Sequence, residues 1–427
     1  MAQGAADPTA RPASAGLAIN EPIRVIPQTA KETLVNLPVT ARMAFTFAAR
    51  LRRGTLDVLL PDGRKFQFGG MEPGPSAAMV IHNMTFARRF LAGGDLGIAE
   101  AYLRGEWETP DLTQFLYIFC VNHDLAGSLI ENNPVGRVMQ LFRHWLNRNT
   151  KRQARKNIHA HYDLGNSFYS AWLDETMTYS SAIYERGEEN LAAAQLRKYQ
   201  SLAEQIRVAP GQTLLEIGCG WGGFAEYVAK NHDIRMVGLT ISKEQHDYAR
   251  ERMFKAGLAD RVEIRMQDYR DERGTYDRVA SIEMIEAVGE QFWHKYFTQL
   301  RDRLKSGGFA GIQAITIQDK IYPSYRREVD FIRRYVFPGG MLPAPMILKS
   351  LGSKIGLPFV GERIFGEDYA RTLSEWRGRF RTAWPTLMPL GFDERFRRLW
   401  EYYLAYCEAG FLSHNIDVRQ MVFARAD

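Results

Sequence analysis

Leu215-Glu216-Ile217-Gly218-Cys219-Gly220-Trp221-Gly222-Gly223 is an apolar run that turns into a cluster of glycines and opens a new helix. Thr213 to Ile217 reads as a buried strand and Phe224 to Lys230 as the helix after it. The glycines therefore sit at a strand-to-helix turn, where a missing Cβ lets backbone approach a ligand. Gly218, Gly220 and Gly223 make the literal pattern G-x-G-x-x-G.

Two cofactor classes share that pattern, dinucleotides and S-adenosyl-methionine. A dinucleotide fold expects an acid about 20 residues beyond the first glycine to hold the ribose. Here the second strand, Arg235 to Ile241, ends in Thr240 and runs into Ser242-Lys243-Glu244-Gln245, a capping box with Ser242 as the cap and Gln245 answering it. The dinucleotide reading loses its ribose ligand.

Further blocks surround the loop: His161-Tyr162-Asp163-Leu164-Gly165-Asn166, Met177-Thr178-Tyr179-Ser180-Ser181-Ala182, Gly238-Leu239-Thr240-Ile241-Ser242 and Gln267-Asp268-Tyr269-Arg270-Asp271. Ile282-Glu283-Met284-Ile285-Glu286-Ala287-Val288-Gly289, Phe337-Pro338-Gly339-Gly340 and Trp400-Glu401-Tyr402-Tyr403 follow in order. With these blocks the chain resembles the cyclopropane fatty acid synthases and mycolic acid methyltransferases. The resemblance implies a Rossmann-like class I methyltransferase that uses S-adenosyl-methionine as co-substrate.

At 427 residues the chain exceeds the size at which one core stops growing. We expect a tail at 1–20, a small α+β domain at 21–130, a basic linker at 131–156 and the methyltransferase domain at 157–427. Thr55 to Phe68 alternates around Pro61-Asp62-Gly63 as a hairpin, and Phe86 to Asp111 reads as two helical pieces broken at Gly93-Gly94. From Thr213 strands and helices alternate, ending in a strand at Phe309 to Ile317, which calls for a parallel sheet with ligands at its carboxyl edge. The segment Asp319 to Met388 is read as a helical lid that forms an acyl channel.

Three cysteines, Cys120, Cys219 and Cys407, exclude a disulfide framework and fit a reducing cytosol. No run approaches the roughly 20 apolar residues of a membrane span. The net charge is +6, and seven cations with no acid lie between Gly136 and Asn157, edging an apolar stripe of Val138, Leu141, Phe142, Trp145 and Leu146. That pattern suits an anionic membrane surface, or equally a linker helix packed on its neighbour. A peripheral enzyme on the inner face of the membrane, with an unsaturated phospholipid as partner, is the expectation; a homodimer is compatible with it. Nucleic acid is not expected, since no zinc-finger, RRM or KH signature accompanies the charge.

The resemblance also implies residue roles. Tyr179 and Ser180 contact the methionine part of the cofactor, Glu216, Gly218 and Gly220 line the loop, Thr240 and Gln245 hold the ribose, and Asp268 and Tyr269 flank the adenine. Gln245 reads equally as a helix cap and Asp268 also as a loop cap. In the family the substrate is a cis double bond, whose methylation leaves a carbocation. Aromatic faces stabilise such a cation, and Tyr322, Tyr325, Phe331, Tyr335, Phe337, Tyr369, Tyr402 and Tyr403 are available. A bound bicarbonate then removes the proton that lets the ring close. Glu286 and Tyr369 match the family's glutamate and tyrosine at that site, whereas Ser181 and Gln313 stand where many members carry cysteine and histidine, and Ala287 replaces a frequent histidine. Cys407 matches a cysteine once assigned to catalysis, but packing is the stronger reading because no activating base accompanies it. His159 and His161 lack a third ligand, so no metal is expected.

Overall fold

The computed structural model describes residues 21–70, 72–123, 164–185 and 190–426. The expected tail, the basic linker and the pair His159 and His161 lie outside these residues. The hairpin at Pro61-Asp62-Gly63 forms as expected: Gly63 takes φ 84°, and Asp62 accepts from Arg64 at 2.7 Å. Its arms are β2 (Arg53–Leu59) and β3 (Lys65–Gly69), which join β1 (Ile23–Val25), β4 (Glu72–Ile81) and β5 (Trp107–Glu108) in a sheet of order β1-β3-β2-β4-β5. Alternate residues of β3 are buried, and Phe68 stacks on Phe45 of the helix Val39–Ala48 at 5.3 Å. The helix Thr85–Leu103 is broken at Gly94, whose φ 56° and ψ −127° suit glycine alone.

The second sheet has order β11-β12-β10-β9-β6-β7-β8. β6 (Thr213–Ile217), β7 (Arg235–Thr240), β8 (Val262–Met266), β9 (Tyr276–Ile282) and β10 (Leu304–Ile317) run parallel. After β6 the chain goes to β7 on one side, and β9 lies on the other, so the order reverses between β6 and β9. Ligands bind at the carboxyl ends beside such a switch point. The glycine loop leaves β6 there, and Glu283 and Glu286 leave β9.

Three expectations are corrected. The strand at Phe309 to Ile317 begins earlier, at Leu304, and is not the last. β11 (Phe359–Ile364) and β12 (Ile416–Ala424) follow it, with β12 antiparallel to both β10 and β11. The segment Asp319 to Met388 is therefore not wholly a lid, since β11 within it completes the sheet edge. The helices of that segment are Tyr322–Tyr325, a π-helical turn at Ile332–Val336, Pro345–Lys354 and Gly366–Leu387, joined by irregular stretches.

The two sheets meet through helices. Leu112–Cys120 packs on Glu394–Leu412, where Thr113 donates to Glu408 at 2.9 Å and Arg377 pairs with the same carboxylate. Tyr102 packs on Tyr402 with ring centroids 5.6 Å apart.

Candidate active site

Steric demands shape the glycine loop. Gly218, Gly220 and Gly222 have φ of 81°, 52° and 82°, a region that costs other residues roughly 1–2 kcal/mol. A Cβ at Gly218 would meet Met284 at 2.9 Å, and one at Gly223 the Tyr199 hydroxyl at 2.4 Å. At Gly220 it would meet nothing within 4 Å. Gly220 thus borders open space in the cavity, as a loop that cradles an adenosyl group must.

Glu216, at the end of β6, is 2% exposed, and its Oε2 has no hydrogen-bond partner. Burial pushes its carboxyl up to about 8, against the pull of Lys198. Lys198 is itself buried, which lowers it to about 7, and it donates to the Ser180 hydroxyl at 2.6 Å. A cationic amino group, such as the one on the methionine part of the cofactor, would satisfy Glu216. Binding then favours the ionised carboxylate, so affinity for S-adenosyl-homocysteine should rise with pH up to about 8 and flatten above it. The slope is at most tenfold per pH unit for one proton. Calorimetric titration across that range checks this, and Glu216→Gln should remove the dependence.

The remaining cofactor candidates line the same cavity. Thr240 donates to the Gln245 side chain at 2.9 Å, and Ser242 caps the helix Lys243–Lys255 through the Gln245 backbone N–H. The capping box is therefore only half closed: Gln245 turns to Thr240, and the Ser242 N–H donates to the Thr240 hydroxyl. Both oxygens of Asp268 accept from Arg270, at 2.8 and 2.6 Å, so this carboxylate first orders the turn Tyr269–Asp271. Tyr179 shares a 2.7 Å hydrogen bond with Tyr403.

The bicarbonate expectation meets a different arrangement. Ser181, Gln313 and Tyr369 converge, but on the side chain of Glu283. Glu283 Oε1 accepts from the Ser181 backbone N–H at 2.8 Å and from Gln313 Nε2 at 2.7 Å, and its Oε2 accepts from the Tyr369 hydroxyl at 2.6 Å. The Ser181 hydroxyl turns away to the Ala182 carbonyl. Gln420, on β12, donates to Gln313 Oε1 at 3.1 Å and so fixes which end of that amide faces Glu283. The donors expected to hold a small oxyanion are thus occupied by a carboxylate of the chain itself, and bicarbonate does not fit.

Glu286 stands apart from that cluster. One oxygen accepts from the Ile315 backbone N–H at 2.5 Å; the other, buried, has no partner. Burial first, and the neighbouring Glu283 second, push its carboxyl up to about 8. Glu283 is also raised by burial, but Tyr369, Lys198, Ser181 and Gln313 all pull it back. Of the two carboxyls, Glu283 is therefore the one whose ionised form its neighbours stabilise.

These groups share a cavity of about 680 Å³ that reaches the first sheet, lined there by Phe45, Phe47, Phe86, Phe90, Phe115 and Phe119. The channel expected from the lid alone is built as much by the N-terminal helices. Of the proposed aromatics, Tyr325, Phe337, Tyr369, Tyr402 and Tyr403 line it, while Tyr322, Phe331 and Tyr335 pack behind. Cys407 also lines it, but burial raises its thiol and it has no activating base. Among the described residues no group of three or more His, Cys, Asp or Glu could hold a metal, and no helix is long and apolar enough to cross a membrane.

Fold and site together define an S-adenosyl-methionine-dependent methyltransferase. The model of the mycolic acid cyclopropane synthetase family matches residues 149–421, and the chain belongs to that family. It is 40% identical to the tuberculostearic acid methyltransferase UfaA1 of Mycobacterium tuberculosis, covering 84% of this chain and 85% of the relative. It is 36% identical to the cyclopropane-fatty-acyl-phospholipid synthase of Escherichia coli, covering 81% and 87%. Among solved structures it resembles the mycolic acid cyclopropane synthase CmaA1 complexed with S-adenosyl-homocysteine, with TM-score 0.60 and 28% identity over 64% of this chain and 98% of that one.

Glu283 is the site residue that sequence reasoning passed over. Its signal was two acids three apart directly after the strand β9, with a distant tyrosine and glutamine to bind one of them.

Proposed function

We propose that this enzyme transfers a methyl group from S-adenosyl-methionine to a cis double bond in a phospholipid acyl chain and closes the product to a cyclopropane. The observation that carries the reading is the continuity of the cofactor loop, the buried carboxylates and a long apolar cavity. An acyl chain fits such a cavity because it gains by leaving water and needs no polar partner. Relatives named for fatty acyl and mycolic acid lipids support the substrate class.

The chemistry asked of the chain is modest, because the cofactor supplies the reactive methyl. The loop and Glu216 orient the cofactor, while the cavity holds the alkene beside it and excludes water. The alkene π pair forms the new C–C bond as the C–S bond breaks, its electrons staying on sulfur, and the neighbouring carbon becomes a cation. The faces of Tyr325, Phe337 and Tyr403 can stabilise that charge. Loss of a proton from the new methyl then supplies the pair that closes the ring.

A second reading ends the cation as a methyl-branched or otherwise methylated chain. It is favoured by the relative named for tuberculostearic acid, at an identity no lower than that of the cyclopropane synthase. A trideuteromethyl donor separates the outcomes: a ring keeps two deuteriums, as does an exocyclic methylidene, whereas a branch formed without methyl deprotonation keeps three. Proton NMR of the purified lipid then tells the strained ring from the alkene. A three-deuterium branch as the main product rejects ring closure and keeps the methyl transfer. We place the enzyme at the inner face of the membrane, with the cations of 131–156 drawn to anionic lipid by roughly 1 kcal/mol each.

A further inference from the structure

We propose that Glu283 is the catalytic base of this enzyme, a carboxylate built into the chain that takes the place of an exogenous bicarbonate. The inference rests on the reading above, in that a methylated acyl cation must lose a proton. Its geometry is independent of that reading. Three donors from three elements, the Ser181 N–H before the glycine loop, Gln313 on β10 and Tyr369 on the helix Gly366–Leu387, converge on the two oxygens of one side chain. They form an oxyanion site, and Glu283 fills it.

Two more observations point the same way. Glu283 holds φ 48°, a conformation uncommon for a residue with a Cβ. Such strain persists where the surroundings over-determine it, and it clusters at functional sites. Here it directs the carboxylate inward from the end of β9, in the turn whose next residue, Met284, touches the glycine loop. Glu283 also lines the cavity together with Gly218, Gly220 and Tyr369. Glu286, the other carboxyl, has one backbone donor, from Ile315, and a second oxygen with no partner, so its ionised form is far less well held than that of Glu283.

The step balances simply. A C–H bond of the transferred methyl breaks, its electron pair forms a C–C bond to the cationic carbon, and the proton passes to a Glu283 oxygen. The hydrogen bonds from Tyr369 and Gln313 weaken as the charge disappears, and the proton leaves to water when the product departs. No oxidant, reductant or further reactant is needed.

The test compares lipid methylation in carbon-dioxide-depleted buffer with and without added bicarbonate, for the wild type, Glu283→Gln and Glu283→Gly. Wild-type turnover should be the same in both buffers. Glu283→Gln should lose about 10²-fold or more, the usual contribution of a general base, with unchanged affinity for S-adenosyl-homocysteine. Glu283→Gly relieves the backbone and empties the oxyanion site, so it should be inactive in depleted buffer and recover at least about tenfold with bicarbonate or acetate. A wild type that requires bicarbonate, or a Glu283→Gln variant with normal turnover, overturns the assignment. A wild type that labels no unsaturated lipid overturns the substrate reading and the base with it.

Discussion

Gly220→Val should abolish binding of S-adenosyl-homocysteine, lowering affinity by at least about a hundredfold, while the circular dichroism spectrum and thermal midpoint stay close to wild type. The backbone there has φ 52°, and a β-branched side chain pays roughly 1–2 kcal/mol to adopt it. That strain is small beside a typical stability of about 5–15 kcal/mol. The ligand has no such margin. A Cβ at Gly220 meets no protein atom within 4 Å, so the whole valine side chain projects into space the adenosyl group needs. Gly223→Ala is the contrasting control, since its Cβ would lie 2.4 Å from the Tyr199 hydroxyl. It should lower the thermal midpoint, because the damage falls on packing between two helices. Normal cofactor affinity in Gly220→Val would remove the loop from the site.

The difference between these two glycines marks what a sequence can and cannot convey. The pattern Gly218, Gly220, Gly223 locates the loop, because only glycine tolerates such turns. It does not say which glycine faces ligand and which faces protein. The parallel strands were legible for a related reason: they are short, bounded by helical stretches, and buried about an apolar centre, Leu214-Leu215 in β6 and Val279-Ala280 in β9. β12 was not, because Asp417, Arg419 and Gln420 interrupt its pattern, and Gln420 is fully buried in order to reach Gln313. β11 lies at the sheet edge, half exposed along most of its length, and gives little contrast to read.

The site shows the same limit. Gln313 and Tyr369 were identified through the resemblance to the family, and both do reach one carboxylate. Their target was misassigned because nothing in Ile282-Glu283-Met284 announces that the chain turns to a positive φ at Glu283. A regular continuation of β9 would have pointed that side chain elsewhere. The phenylalanines of the N-terminal helices present a related ambiguity. A residue that packs a core and one that lines a cavity have the same composition and the same helical spacing, and only three-dimensional placement shows that Phe45 stacks on Phe68 and still borders the cavity, and which other rings leave a face for ligand.

Phe90 is such a ring, and it offers a test of the channel far from the chemistry. It lies on the helix Thr85–Leu103, half-buried, 5.7 Å from Phe47, and lines the cavity at the end formed by the first sheet. Phe90→Glu should lower kcat/KM for a long-chain unsaturated phospholipid by about 10²-fold or more. The reason is that an acyl chain entering there would have to strip water from the carboxylate and offer no hydrogen bond in return, a cost of roughly 2–7 kcal/mol for a polar group, where each 1.4 kcal/mol is tenfold. Affinity for S-adenosyl-homocysteine should not change, because the cofactor loop lies on the other sheet. Phe90→Leu keeps the wall apolar and should cost little in either measurement. Shorter acyl chains should be spared by Phe90→Glu to the extent that they stop before reaching it, so activity against a chain-length series would show how deep the substrate extends. Equal loss at every length, with cofactor affinity also reduced, would mean that the substitution had disturbed the fold, and the intact thermal midpoint of Phe90→Leu would then serve as the reference. Undiminished activity on long chains would show that the acyl tail does not pass the N-terminal helices at all, and the lid alone would have to accommodate it.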